Sequence, residues 1–187
     1  DPAGTQAAPN DFDGISINNA VTNTQIGGPN PGDGNLFSGN LNYGISLVAA
    51  TVSSNVVQGN LIGTDAGGTG SIPNGLSGIE VRLGSNNNLI GGTVPGEGNF
   101  IANHSVAGIE SNGGSANQID GNTITSNFDG IYLENSTDFQ IGLGKGNDIV
   151  DNANDGIFIV NSSNHQIEQN RIGGNRKGCL LYTSPSP

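Results

Sequence analysis

Apolar residues in this chain come in short pulses set among Gly, Asn and Ser, and none of the pulses is long enough for a helix. The stretch from 108 to 130, "GIESNGGSANQIDGNTITSNFDG", shows the pattern: Ile109, Ile119 and Ile124, then a second Gly-Ile. No two pulses are joined by a hairpin signal, so the stretch reads as one turn of a coil. Gly-Ile recurs at Gly14-Ile15, Gly44-Ile45, Gly78-Ile79, Gly108-Ile109, Gly130-Ile131 and Gly156-Ile157, at intervals of 30, 34, 30, 22 and 26. Eleven to thirteen residues after each Gly stands a second apolar anchor: Ile26, Val57, Ile90, Ile119, Ile141 and Ile167. A third follows as Asn-x-apolar, at Asn35/Phe37, Asn60/Ile62, Asn99/Ile101, Asn122/Ile124, Asn147/Ile149 and Asn170/Ile172.

Length varies at two places only. Before the Asn, "IGGPNPGDGN" and "IGGTVPGEGN" lengthen two coils; after the third anchor, residues 63–78 are inserted. The opening, Asp1 to Gly14, matches Asp65 to Gly78 position by position, and Ile26, Pro31, Asp33 and Asn35 fall on Ile90, Pro95, Glu97 and Asn99. A two-coil unit of 64 residues is therefore duplicated. Because Asp1 begins inside one copy, the chain is expected to be a piece of a longer array that continues into neighbouring coils.

A single coil has too little apolar surface to fold. Stacked about 4.8 Å apart, successive coils would bring like residues into parallel ladders, which β-branched side chains suit. Ile15, Ile45, Ile79, Ile109, Ile131 and Ile157 form one inward ladder, with Ile17, Leu47, Val81, Leu133 and Ile159 beside it and Ser111 the exception. The six Asn residues should stack, each amide bonding to the next. The Gly before them (Gly34, Gly59, Gly98, Gly121 and Gly146, with Gln169 in the last coil) suits a bend that a Cβ would hinder. The expected fold is all-β: a right-handed parallel β-helix, or β-solenoid, of about six coils of three short strands. Disorder is the rival reading, but Gly (32) and Pro (8) in 187 residues fall below the roughly 25–30% of low-complexity chains.

This grammar resembles the parallel β-helix of the pectin-lyase-like superfamily. The phrases "NLIGTDA" and "GI-x-V" look most like the β-helix repeat arrays of large secreted or surface bacterial proteins. The resemblance covers residues 1–175. It implies secretion or cell-surface display, with polysaccharide or a cell-surface glycan as partner. Residues 176–187 fall outside the repeat as read here, and "GCLLYTSPSP" resembles translated adapter sequence, so this tail is expected to be non-native. It carries Cys179, the one cysteine; without it there is no disulfide framework, thiol nucleophile or thiolate metal site.

Five Lys and Arg against 16 Asp and Glu give a net charge of −11. Nucleic acid and anionic membrane are poor partners for such a surface, and no membrane-inserting segment is expected. Polyuronates also fit it poorly, except through calcium or a local Arg or Lys.

Counting from each Gly, the first outward column of the leading strand is Ser16, Ser46, Glu80, Glu110, Tyr132 and Phe158, and the next is Asn18, Val48, Arg82, Asn112, Glu134 and Val160. Glu80, Arg82, Glu110, Tyr132, Glu134 and Phe158 are the candidate ligand-binding residues. Two carboxylates on adjacent coils repel, which raises one pKa or recruits a cation. Their spacing also matches the carboxyl pair of retaining glycosidases, and aromatics beside carboxylates suit sugar rings. The plain alternative is a solvated sheet face. Asp129 and Asp155, one residue before their Gly, are the weaker metal candidates, placed to share calcium; the alternative there is a turn-forming Asp-Gly. The "GDGN" and "GEGN" loops hint at calcium, but "GKGN" at the third site argues against a repeated metal site. His104 and His165 lie on different strands two coils apart and are expected at the surface.

No catalytic residue is assigned. The Asp clusters with an Arg-rich strand of pectate lyases, the Asn-Thr-Asp and Gly-His-Gly phrases of polygalacturonases and the Tyr-Gly-Phe-Asp-Pro-His phrase of mannuronan epimerases are all missing. The expected function is that of a structural and binding segment for glycans. The alternative is a polysaccharide lyase, epimerase or hydrolase of the same superfamily.

Overall fold

The computed structural model describes residues 3–182. They form a parallel β-solenoid of about six turns, with no helix among them. Sheet one takes one strand per turn: Ile15–Asn18, Ile45–Val48, Ile79–Arg82, Ala107–Asn112, Asp129–Glu134, Asp155–Val160 and Lys177–Tyr182. Sheets two and three contain six strands each, built on the second and third anchors.

The register is the one read from the pulses. Ile15, Ile45, Ile79, Ile109, Ile131 and Ile157 pair in sequence in sheet one. Ile26 through Ile167 do so in sheet two, and Phe37 through Ile172 in sheet three. Together with Leu47, Val81, Leu133 and Ile159 these side chains fill one continuous core, and most are fully buried. Each fully buried Ile contributes about 1.5–3 kcal/mol. Ser111, the polar intruder, is satisfied: Ser136 gives its hydrogen to Glu134 O, so Ser111 Oγ donates to Ser136 Oγ at 2.9 Å.

The expected Asn column is present. Each side-chain amide from Asn35 to Asn147 donates to the next Asn's Oδ1, which also accepts the previous Asn's own N–H. The preceding Gly is required for two alternating reasons. Gly59 and Gly121 have positive φ (65° and 66°), and Gln169 is held there too, at 59°. At Gly34, Gly98 and Gly146 φ is ordinary, but a Cβ would strike the carbonyl of Gly59, Gly121 or Gln169 in the next coil.

A second column was not read from the sequence. Asn10 donates to Asn40, Asn40 to Asn74, Asn127 to Asn152 and Asn152 to Asn175. The gap between Asn74 and Asn127 is filled by His104, which is therefore buried (1% exposed) and not at the surface as expected. His165 is half-buried, its Nδ1 accepting Phe139 N–H at 3.1 Å. In both cases the imidazole stands at a turn of the coil where other coils place an amide, so stacking draws it inward.

The duplicated loops behave alike. Asp33 accepts from Asn30 N–H and Glu97 from Val94 N–H, 64 residues apart, at 3.1 and 2.8 Å. These acids cap their own loops. The insertion over 63–77 closes on itself through a Thr64–Ser71 bridge and docks on the chain's start, with Ala66 N–H on Gly4 O at 2.9 Å. Asp1 and residues 183–187 lie outside the described residues. The tail from 177 to 182 pairs in parallel with Asp155–Val160, setting Cys179 opposite Ile157.

Candidate functional site

The outward columns of sheet one pair as counted. Glu80 stands beside Glu110, Glu110 beside Tyr132 and Tyr132 beside Phe158, with Arg82, Asn112, Glu134 and Val160 in register next to them. The structure divides the six candidates into two groups.

The first group centres on Glu80. Although its side chain leaves the outer face of the sheet, it is only 4% exposed. Ser46 Oγ–H donates to Glu80 Oε2 at 2.6 Å, Tyr43 also hydrogen-bonds to it, and Arg82 Nε lies 3.3 Å from Oε1. Burial pushes the Glu80 carboxyl above the usual carboxylate range, against the pull of Ser46, Tyr43 and Arg82. Burial, with Glu80 and Glu110 nearby, also raises the Tyr43 phenol. Arg82 thus reaches Glu80. Tyr43 and Ser46 were not among the candidates, although Ser46 stands in the column of Glu80 and Tyr43 in that of Asp129 and Asp155.

The second group surrounds an open hollow of about 400 Å³ on two successive coils. Its lining is Ser105, Val106 and Glu110 from one coil, with Phe128, Asp129, Tyr132 and Glu134 from the next. Phe128 (49% exposed) and Val106 supply apolar walls. Tyr132 is backed by Phe158, their rings stacked at 5.3 Å and 13°. Phe158 therefore supports the hollow from behind. Tyr132 O–H donates to Glu134 at 3.3 Å, and burial together with Glu134 raises its phenol pKa. Ser77 Oγ–H donates to Glu110 Oε2 at 2.6 Å. Phe128 and Val106 were missed. A signal existed: position two before the Gly is apolar at Phe12, Leu76, Val106 and Phe128, a recurrence outside the three inward anchors.

Asp129 and Asp155 are adjacent, as the column count implies. Asp129 Oδ1 accepts Asp155 N–H at 3.0 Å and Asn154 Nδ2 at 2.9 Å, and Lys177 Nζ lies 3.8 Å from Asp155 Oδ2. Among the described residues no three acidic, His or Cys side chains are grouped to hold a metal ion. A second cleft, of about 560 Å³, lies by the 28–34 loop, but Gly, Pro, Asn, Leu and Ala line it, with no ionisable side chain.

A family model described as "Right handed beta helix region" matches residues 13–187. The chain belongs to this β-helix family. No curated protein and no solved structure shows significant similarity to it.

Proposed function

We propose that this β-helix is a glycan-binding segment of a secreted or cell-surface protein, and that a sugar occupies the hollow between Phe128 and Tyr132. The observation that carries the reading is the pairing of exposed apolar walls with unfilled acceptors. Sugar rings offer C–H faces to Phe128, Val106 and Tyr132, and hydroxyls to Glu110, Glu134 and Asp129. Affinity electrophoresis through polysaccharide-loaded gels tests it. The wild-type chain should be retarded, and Phe128→Ala with Tyr132→Ala should run free while keeping its far-ultraviolet dichroism. Equal retardation of the double variant would refute the site.

The same face supports a second reading, as a polysaccharide lyase, epimerase or hydrolase, through the adjacent carboxyls Glu80 and Glu110 and the raised pKa of Glu80. Binding is favoured because Glu80 is buried and already engaged by Ser46, Tyr43 and Arg82. Release of unsaturated or reducing sugar from pectate or alginate, lost in Glu80→Gln, would reverse that preference.

A further inference from the structure

Resting on the glycan reading, we propose that the hollow selects sugars carrying a protonated amine, namely unacetylated hexosamines, over neutral sugars and uronates. Three carboxylates line it, and each uses one oxygen on the protein. Glu110 accepts from Ser77; Glu134 accepts from Tyr132 and from Asn112; Asp129 accepts from Asp155 N–H and Asn154. The second oxygen of each has no hydrogen-bond donor among the described residues. For Asp129 this is the telling feature. Its side chain is only 6% exposed, yet it lines the hollow with an unfilled oxygen. Among the described residues the buried side-chain atoms without a partner are Asp155 Oδ1 and His165 Nε2, so the second Asp129 oxygen is open to the hollow, where a ligand's ammonium or hydroxyl hydrogens would replace water.

Three of the chain's five basic residues are committed elsewhere. The ion pairs among the described residues join Arg82 to Glu80, Arg171 to Asp148 and Lys177 to Asp155, and none reaches Glu110, Asp129 or Glu134. A uronate would bring a fourth negative charge into a hollow that no cation lines, since the nearby Lys177 is paired with Asp155. A bare metal ion is not the natural occupant either, since the acids are not grouped for one. They suit a ligand several ångströms long that spreads its positive charge over successive sugars. Phe128 and Tyr132 add to this, because an ammonium over an aromatic face is attracted by the ring as well.

Titration calorimetry should compare a fully deacetylated glucosamine oligomer, its N-acetylated counterpart and a galacturonate oligomer. The deacetylated oligomer is expected to bind about tenfold more tightly than the acetylated one, with galacturonate weakest. Glu110→Gln with Glu134→Gln keeps the internal hydrogen bonds possible and should shrink the preference to within about threefold. Asp138→Asn with Glu168→Gln, which removes the same charge outside the hollow, should leave it unchanged; dichroism confirms that each variant is folded. If the acetylated oligomer binds as tightly, the glycan reading survives and the amine preference is overturned. Failure of all three oligomers to bind overturns both. An equal fall in both double variants, or in neither, would show mere attraction of a polycation to an acidic chain and would also overturn the proposal.

Discussion

Asn74 Nδ2 donates to His104 Nε2 at 3.0 Å, inside a column where the other described coils place Asn. On its other side His104 Nδ1 lies 3.0 Å from Asn127 Oδ1, an acceptor, so the ring is neutral with its proton on Nδ1. Imidazole thereby reproduces the accept-then-donate order of an amide. Protonation would turn Nε2–H against the Asn74 donor.

Burial holds the His104 pKa down to about 4 from an ordinary 6.5. Between these values the unfolded chain binds the proton and the folded chain does not, so stability falls as pH drops from 6.5 to 4 and is fully present above 6.5. The loss is about 3 kcal/mol. His104→Asn should restore the regular column and remove this part of the acid sensitivity. Denaturant midpoints measured from pH 7 to 4 check it, and parallel curves for wild type and variant would count against the neutral-ladder account.

Position along a column should set the cost of losing an amide. Asn122 accepts from Asn99 N–H and Nδ2 and donates to Ile90 O, Asp120 O and Asn147 Oδ1. Asn122→Ala strands several buried partners and should cost about 3–5 kcal/mol. Asn35 only donates, to Asn60, so Asn35→Ala should cost about 1 kcal/mol. Equal losses in urea melts would contradict the ladder.

Glu80 is an acid whose pKa is raised by burial, so its charged form opposes folding at neutral pH. Glu80→Gln should raise the melting temperature at pH 7. That gain should shrink as the pH falls toward the ordinary carboxylate range, where wild-type Glu80 becomes protonated. A variant less stable at pH 7 would mean that the Arg82 and Ser46 contacts outweigh desolvation.

Gln169, with φ of 59°, sits at the position where the other five coils use Gly, two of them with positive φ. Gln169→Gly relieves the left-handed strain and should stabilise by about 1 kcal/mol, raising the melting temperature by roughly 2–4 °C. Scanning calorimetry decides it; a lowered midpoint would show that the Gln169 Nε2 bond to Leu143 O matters more than the backbone.

The architecture was legible in the sequence because a parallel ladder is a one-dimensional rule. Every coil must put a similar residue at the same step, so Ile109, Ile131 and Ile157 announce their own register, and Asn99, Asn122 and Asn147 announce the turn. Inserted residues could be recognised because they interrupt that rule without shifting it. The outward neighbours Glu80 and Glu110, or Tyr132 and Phe158, followed by simple alternation. What the alternation could not supply is how deep each side chain ends. Glu80 points outward yet is buried, because Tyr43, Ser46 and Arg82 from separate columns converge on it. His104 was expected at the surface because no second ligand stands at metal spacing and its amide column went unread, and only stacking shows that its two nitrogens satisfy the neighbours an amide would. The hollow joins Val106 and Glu110 to Phe128, Asp129, Tyr132 and Glu134 across two coils. Burial and concavity depend on side chains from different turns and different columns, and therefore on the tertiary path of the chain, which no period along a single strand encodes.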